Sequence, residues 1–192
     1  MIHHSDLYGF VFRGGISQDA INRQISADHN SDDFRERLTQ RLPFDLIERE
    51  LITAAENMAV VYSLIAAFEN SARKFIGDTL LEAKGANWWV EGVSESIRKS
   101  AEQRKKDEEV HRYHGARGQS MINYCQMGDL HSIIHKNQEL FADYIPSAEW
   151  ARQIFSAVER SRNVIMHSGE LSINDIERVA MNVRDWVRQV GG

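Results

Sequence analysis

The sequence predicts an all-α protein, and three observations support that prediction. Prolines are scarce, since Pro43 and Pro146 are the only two among 192 residues, and each stands just ahead of a long helical pattern. Apolar residues recur at intervals of three and four over most of the chain, which is the period of an amphipathic helix. Finally, 42% apolar and 27% charged residues are typical of one globular domain with its own hydrophobic core.

The first 42 residues are predicted to form an N-terminal appendage. Residues 1–15 carry no helical period, which favours a loop or a short strand. Ser17 and Ser31 have the side chains that helix N-caps favour. Two short helices are therefore expected, at about residues 17–27 and 32–41. The appendage thus covers residues 1–42, and the helical bundle covers residues 43–192.

The strongest helical pattern begins at Pro43 and predicts one long helix that reaches about Ala83. Its apolar residues step by threes and fours: Phe44, Ile47, Leu51, Ala54, Met58, Val61, Ile65, Phe68, Ala72 and Phe75. About 40 residues at about 1.5 Å each give a helix of about 60 Å. A helix of that length needs another helix packed along it.

Further helical segments complete the predicted bundle. A break at residues 84–87 precedes Trp88, which opens a second long helix whose apolar side gives way to a charged run from Arg98 to Glu109. The glycines of residues 114–123 predict a loop. The remaining helices are expected at about residues 127–144, 148–167 and 172–192.

Starting and ending signals mark the last two helices. Gly169 is placed to end the helix that precedes it, and Ser172 with Asp175 three residues later resembles a capping box. The predicted fold is an up-and-down bundle of four to five long helices with a short helical appendage.

The charge and the cysteine content exclude several classes of protein. A formal net charge of −5 argues against a dedicated duplex-DNA binder, which is usually basic. The single cysteine, Cys125, rules out an internal disulfide and a multi-cysteine zinc site, and it is most simply a small buried hydrophobe. Since no uninterrupted apolar run approaches about 18 residues and the N-terminus lacks the pattern of a secretory signal, we expect a cytoplasmic protein without a membrane partner.

The segment from Arg160 to His167 concentrates the residues that could carry chemistry. The apolar stripe of its helix continues onto Arg162, so this guanidinium is expected on the buried face, where it needs a partner or a cavity. Asn163 and His167 lie one turn apart, and Arg160 is on nearly the same face. In one interpretation Arg162 merely pairs with an internal carboxylate such as Glu69, and His167 interacts with the end of its helix.

The run Arg162-Asn163-Val164-Ile165-Met166-His167 resembles the Arg-polar-x-x-x-His signature of the HEPN superfamily. These are small all-α domains, and many act as metal-independent endoribonucleases in toxin–antitoxin, antiphage-defence and RNA-processing systems. Residues 68–76 resemble the first long helix of HEPN domains, and residues 124–134 resemble the Asp-Leu-x-x-Ile-Ile segment of one subgroup. The resemblance covers about residues 44–190. In some members a tyrosine two residues after the histidine is modified with adenylate, whereas this chain has Gly169 there.

The resemblance implies a site and a reaction. Arg162 and His167 would be catalytic and Asn163 would support them, with no metal and no cofactor. Each chain carries one copy of the motif and so one such histidine. A separate acid and a separate base would therefore require a homodimer in which two motifs face one groove. The supporting residues would be Glu69, Arg73 and Arg160, although Glu69 and Arg73 are also spaced for a simple pair on the helix surface. The partners would be RNA and an inhibitory or activating protein.

A basic stretch could hold the RNA. Basic side chains for phosphates and rings for bases are typical of single-strand binding, and His111, Tyr113 and His114 supply the rings. The alternative is a solvated helix face whose charges pair with one another. The candidate RNA-binding residues are Arg98, Lys99, Arg104, Lys105, Lys106, Arg112 and Arg117.

Two histidine clusters raise the question of a metal site. His131 and His135 are four residues apart with Asp129 nearby, and His111 and His114 follow Glu108; both spacings are compatible with zinc or nickel. Surface histidines are the preferred interpretation. Two other functions stay open: a non-catalytic HEPN-like module that binds RNA, a nucleotide or a protein, and a helical subunit whose long helix serves assembly.

Overall fold

The computed structural model describes Phe34, residues 36–111 and residues 113–191. These residues form helices joined by turns, with no strand among them, so the predicted all-α class is confirmed. The chain divides into two compact units, residues 1–52 and 53–192, while the boundary after residue 42 stays a prediction. The loop or strand expected at residues 1–15 and the helix expected at residues 17–27 lie outside the described residues.

The first unit contains exposed helical turns. Residues 36–41 are helical, which agrees with the end of the second short helix. A 3-10 turn, Phe44–Leu46, follows, and the first long helix, α1, covers Arg49–Lys84. The helix predicted from Pro43 therefore starts later than expected. The reason is that Ile47 is extended, with φ −114° and ψ 143°, and the apolar residues before Arg49 are exposed rather than held against a core.

The buried face of α1 follows the predicted period. Its buried residues are Met58, Val61, Ile65, Phe68, Ala72, Ile76 and Leu80. By length and composition alone, the stretch Arg49–Gly92 could cross a membrane, and 22% of its most apolar window is buried. That is weak evidence for a membrane span, because the core helix of a soluble protein meets the same criteria.

The second predicted long helix is two helices, α2 (Trp88–Gly92) and α3 (Glu95–Val110). The break is at Val93, which is extended with φ −104° and ψ 137° and is only 1% exposed. The bend brings Gly92 against α1, where a Cβ would lie 3.1 Å from the Leu80 methyl groups. The chain turns at this point because the bend buries Val93 and allows this close approach.

The helix predicted at residues 127–144 is also two helices, α4 (Met127–Lys136) and α5 (Gln138–Phe141). Asn137 separates them with φ −115° and ψ 33°. Its buried amide donates hydrogen bonds of 2.8 Å to the carbonyls of Gly92 and Ile133. The hydrogen bond from Asn137 to Gly92 thus holds the junction between α4 and α5 against the end of α2.

The last two helices are α6 (Ala148–Met166) and α7 (Ile173–Val190). The Ser147 hydroxyl caps α6 by accepting from the Trp150 amide at 3.0 Å. Ser172 and Asp175 form the predicted capping box of α7, with reciprocal bonds of 3.3 Å between side chain and backbone. The predicted positions of both helices are confirmed.

A cluster of aromatic rings joins α1, α6 and α7. The Trp186 ring of α7 stacks on Trp150 at 5.8 Å and meets Phe68 and Phe155 edge to face at 5.9 and 5.1 Å. Such pairs contribute about 0.5–1.5 kcal/mol each beyond the apolar area that they bury. The cluster packs the middle of α1 against α6, and polar residues of these same two helices line a common groove.

Candidate active site

A groove of about 590 Å³ lies where α1 meets the start of α4 and the second half of α6. Its walls are polar, and three arginines and two glutamates contribute to them. Five residues singled out from the sequence line this groove: Glu69, Arg73, Arg117, Arg162 and Asn163. The other lining residues are Tyr62, Ala66, Asn70, Asn123, Cys125, Gln126, Met127 and Glu159.

Glu69 pairs with two of the arginines that line the groove. One carboxylate oxygen accepts from Arg73, and the other lies 3.7 Å from Nε of Arg162. The side chains of Glu69 and Arg73 are 12% and 15% exposed, and that of Arg162 is 35% exposed. The predicted pairing of the inward Arg162 with Glu69 is therefore present, as is the pair between Glu69 and Arg73. Charges as buried as these require such partners.

Arg73 also connects α1 to the segment ahead of α4. Its Nη2 donates to the Cys125 carbonyl at 3.1 Å, and its Nη1 donates to Oδ1 of Asn70 at 3.2 Å. The buried Nε atoms of Arg73 and Arg162 make no hydrogen bond within the described part of the chain. Hydrogen bonds therefore hold the Arg73 guanidinium in place, whereas Arg162 has its ion pair with Glu69, and the Nε donor of each is unused.

The end of α6 presents the rest of the motif. Asn163 is exposed and lines the groove. His167 is exposed at the C-cap, where its backbone N–H donates to the carbonyls of Asn163 and Val164 at 3.1 and 3.2 Å, and it is not among the lining residues. Arg160 is exposed, donates to the Ser156 hydroxyl at 3.1 Å and does not line the groove. The structure thus brings Arg162 and Asn163 into the groove and places His167 at the end of their helix.

A Schellman turn ends α6 directly after His167. Ser168 adopts a left-handed conformation with φ 61°, and the amides of Ser168 and Gly169 donate to the carbonyls of Ile165 and Val164 at 2.9 and 2.8 Å. A Cβ on Gly169 would lie 2.8 Å from Cγ1 of Val164. The helix ends at this turn as predicted, but the left-handed residue that ends it is Ser168 and not Gly169.

Three cations of the predicted RNA-binding stretch form ion pairs: Lys99 with Glu95, Arg104 with Asp129 and Arg117 with Glu108. Lys99 lies 2.7 Å from Glu95, a pairing that the alternative of a self-compensated helix face predicts. Arg104 is more buried than Lys99. It donates to the Tyr124 carbonyl at 2.7 Å and to Asp129 at 3.0 Å. Arg112 lies outside the described residues. Of the others, Arg117 lines the groove, whereas Arg98, Lys99, Arg104, Lys105 and Lys106 do not.

Glu108 organises the segment that carries Arg117. Its Oε2 accepts from the Tyr124 hydroxyl at 2.8 Å and from the Arg117 backbone amide at 3.1 Å, and its Oε1 lies 3.4 Å from Nε of Arg117. The Arg117 amide, the Tyr124 hydroxyl and the Arg117 charge together lower the pKa of Glu108. The hydrogen bond from the Tyr124 hydroxyl to Glu108 also raises the pKa of Tyr124. Sequence reasoning considered Glu108 only as a metal ligand, because no local pattern links it to Tyr124.

The metal-binding interpretation receives no support from the described residues. No three His, Cys, Asp or Glu side chains there are grouped so that they could hold a metal ion. Burial, followed by the charge of Arg152, lowers the pKa of His131. The Cys125 thiol is buried, and desolvation raises its pKa to about 12, as expected of a structural cysteine.

Comparison with known proteins identifies the family. The model of a family described as Swt1-like HEPN matches residues 64–191, a range that contains both ends of the Arg162–His167 motif and nearly all of the groove. No curated protein and no solved structure matches the chain. Because the match covers more than half of the chain and agrees with the all-α fold and the motif, the chain belongs to the Swt1-like HEPN family.

Proposed function

We propose that this protein is a metal-independent endoribonuclease of the HEPN type. One observation carries the proposal: the Arg-Asn-x-x-x-His motif lies on a helix that delivers Arg162 and Asn163 to a polar groove, where Glu69 pairs with Arg162. A guanidinium held in this way suits phosphate oxygens, because its planar donors can contact two of them at once. Membership of the HEPN family supports the same activity.

The proposed reaction is an attack by the RNA 2′-hydroxyl on the adjacent phosphorus. A bond forms between O2′ and phosphorus while the bond from phosphorus to the 5′-oxygen breaks, which leaves a 2′,3′-cyclic phosphate and a free 5′-hydroxyl. A base removes the 2′ proton and an acid protonates the leaving oxygen. His167 can act in either role, since one imidazole nitrogen can accept a proton and the other can donate one. Arg162 stabilises the charged pentavalent phosphate, and Asn163 orients it.

Two copies of the chain would complete the site. His167 is exposed at the end of α6, so an isologous dimer can bring two such histidines to one groove as acid and base. We further propose a cytoplasmic toxin or antiphage effector that a protein partner inhibits or activates. Arg73 and Arg160 would support the motif, and the basic side chains between residues 98 and 117 would contact RNA outside it.

Cleavage of total RNA in excess EDTA tests the proposal. Wild-type protein should cut RNA and leave cyclic phosphate ends, whereas His167→Ala should not cut. His135→Ala is the matched control, because His135 is an exposed histidine of α4 outside the groove, and it should cut as the wild type does. Cleavage that survives in His167→Ala, or that stops in EDTA, would refute the proposed mechanism.

A non-catalytic binding module is the second candidate. The observation that favours it is that Arg162 and Asn163 line the groove but His167 does not. In that case Arg162→Ala should weaken binding of RNA, a nucleotide or a protein, and no preparation should cleave RNA. If the long helix served assembly alone, neither Arg162→Ala nor His167→Ala would change anything except stability.

A further inference from the structure

A third arginine reaches the groove from a different part of the chain. Arg73 comes from α1 and Arg162 from α6, whereas Arg117 belongs to the segment that connects α3 to the 3-10 turn Met121–Tyr124. The proposed function gives Arg117 only a general contact with RNA, together with the other basic residues of its stretch. Its surroundings nevertheless show that its position is well defined.

The backbone of Arg117 is held on both sides. Its N–H donates to Glu108 at 3.1 Å, and its carbonyl accepts from Nδ2 of Asn123 at 3.4 Å. The next residue, Gly118, has φ 153°, and a Cβ there would lie 1.7 Å from Nδ2 of Asn123. Glycine is favoured here because other residues rarely adopt this φ, and a side chain would also displace Asn123. The segment therefore positions Arg117 although most of the surrounding residues are exposed.

The side chain of Arg117 is the most accessible of the three arginines. It is 54% exposed, compared with 35% for Arg162 and 15% for Arg73. Glu69 compensates Arg73 and Arg162, while Glu108, which does not line the groove, lies 3.4 Å from Nε of Arg117. Glu108 orients the guanidinium, and the exposed remainder of the side chain can contact an anion. An arginine positioned in advance loses less freedom on binding.

We propose that Arg117 forms a second phosphate site of the groove, which binds a backbone phosphate of single-stranded RNA other than the phosphate that is cleaved. This proposal rests on the proposed function, because it assumes that RNA is the ligand. A single strand fits better than a duplex, since the overall charge of −5 disfavours the broad basic surface that duplex binding uses. Arg117 would thus set where the strand lies relative to Arg162.

Salt dependence of RNA binding tests the site. In a His167→Ala background, which prevents cleavage, the dissociation constant of a short single-stranded RNA is measured over a range of salt concentrations. Loss of one phosphate contact should reduce the slope of log K against log salt by about 0.7. Arg117→Ala should show that reduction and should weaken all RNA sequences equally. Arg117→Lys should keep the slope, because it keeps the charge.

Arg152→Ala is the control, since Arg152 is 52% exposed and paired with Glu149 but lies outside the groove. It should leave the slope unchanged. Equal slopes for Arg117→Ala and Arg152→Ala would overturn the phosphate site even if the wild type cleaves RNA, and absence of RNA binding by the parent would overturn it as well. A slope that depends on Arg117 in a protein that never cleaves RNA would support the site and refute the endoribonuclease instead.

Discussion

Removal of the Glu69 carboxylate should destabilise the protein more than removal of an exposed carboxylate. Glu69→Ala leaves the Arg73 and Arg162 guanidiniums, whose side chains are 15% and 35% exposed, without the acid that pairs with both. Breaking a fully buried pair costs about 3–5 kcal/mol. Because Arg162 is partly solvated and the solvent screens its charge, we expect about 2 kcal/mol here.

The assay is thermal unfolding followed by circular dichroism. For a chain of 192 residues, a loss of about 2 kcal/mol corresponds to a fall in Tm of about 4–8 °C. Glu149→Ala is the control. Glu149 also pairs with an arginine, Arg152, but both side chains are more than half exposed, so its Tm should hardly change. Equal Tm values for the two variants would refute the assigned role of Glu69.

A double substitution examines the reason for the loss. If the destabilisation comes from an arginine left without its acid, then Arg162→Ala added to Glu69→Ala should restore part of the stability, because the uncompensated charge is gone. Additive losses would instead mean that Glu69 and Arg162 act independently. Since this measurement uses folding alone, it is valid whether or not the protein cleaves RNA.

Two further predictions concern the end of α6 and the single cysteine. Ser168→Gly should raise stability by about 1 kcal/mol and Tm by about 2–4 °C, because glycine adopts the left-handed conformation without the penalty of a Cβ; an unchanged or lower Tm would contradict this. Burial raises the pKa of the Cys125 thiol to about 12, so native protein at pH 8 should react with a thiol reagent only after denaturation. Rapid labelling of the folded protein would show that Cys125 is accessible.

The main features of the site could be predicted because they depend on helical period and on charge burial. The apolar stripe of α6 placed Arg162 on the inward face, and an inward guanidinium requires an acid. Glu69 and Arg73 are one turn apart on the face of α1 next to Phe68, which is buried. In each case local spacing determines which side of a helix a residue occupies, and the core then brings the two sides together.

The interruptions of the helices could not be predicted, because contacts distant in sequence stabilise them. Asn137 ends α4 while its amide binds the carbonyl of Gly92, which is 45 residues earlier. Likewise, Glu108 holds Arg117 and Tyr124 through bonds that span 9 and 16 residues. No residue near these positions signals the partner, so the pairing of Glu108 with Arg117 and Tyr124 emerged only from the structure.

The turn after His167 leaves little room for a side chain at Gly169. In HEPN members that a nucleotidyltransferase modifies, the target tyrosine stands two residues after the histidine, at the position of Gly169. A side chain here would bring a Cβ within 2.8 Å of Cγ1 and 3.0 Å of the carbonyl oxygen of Val164. A tyrosine here would therefore require Val164 or the turn itself to shift. The turn after His167 thus favours a residue without a side chain, which agrees with the glycine at this position.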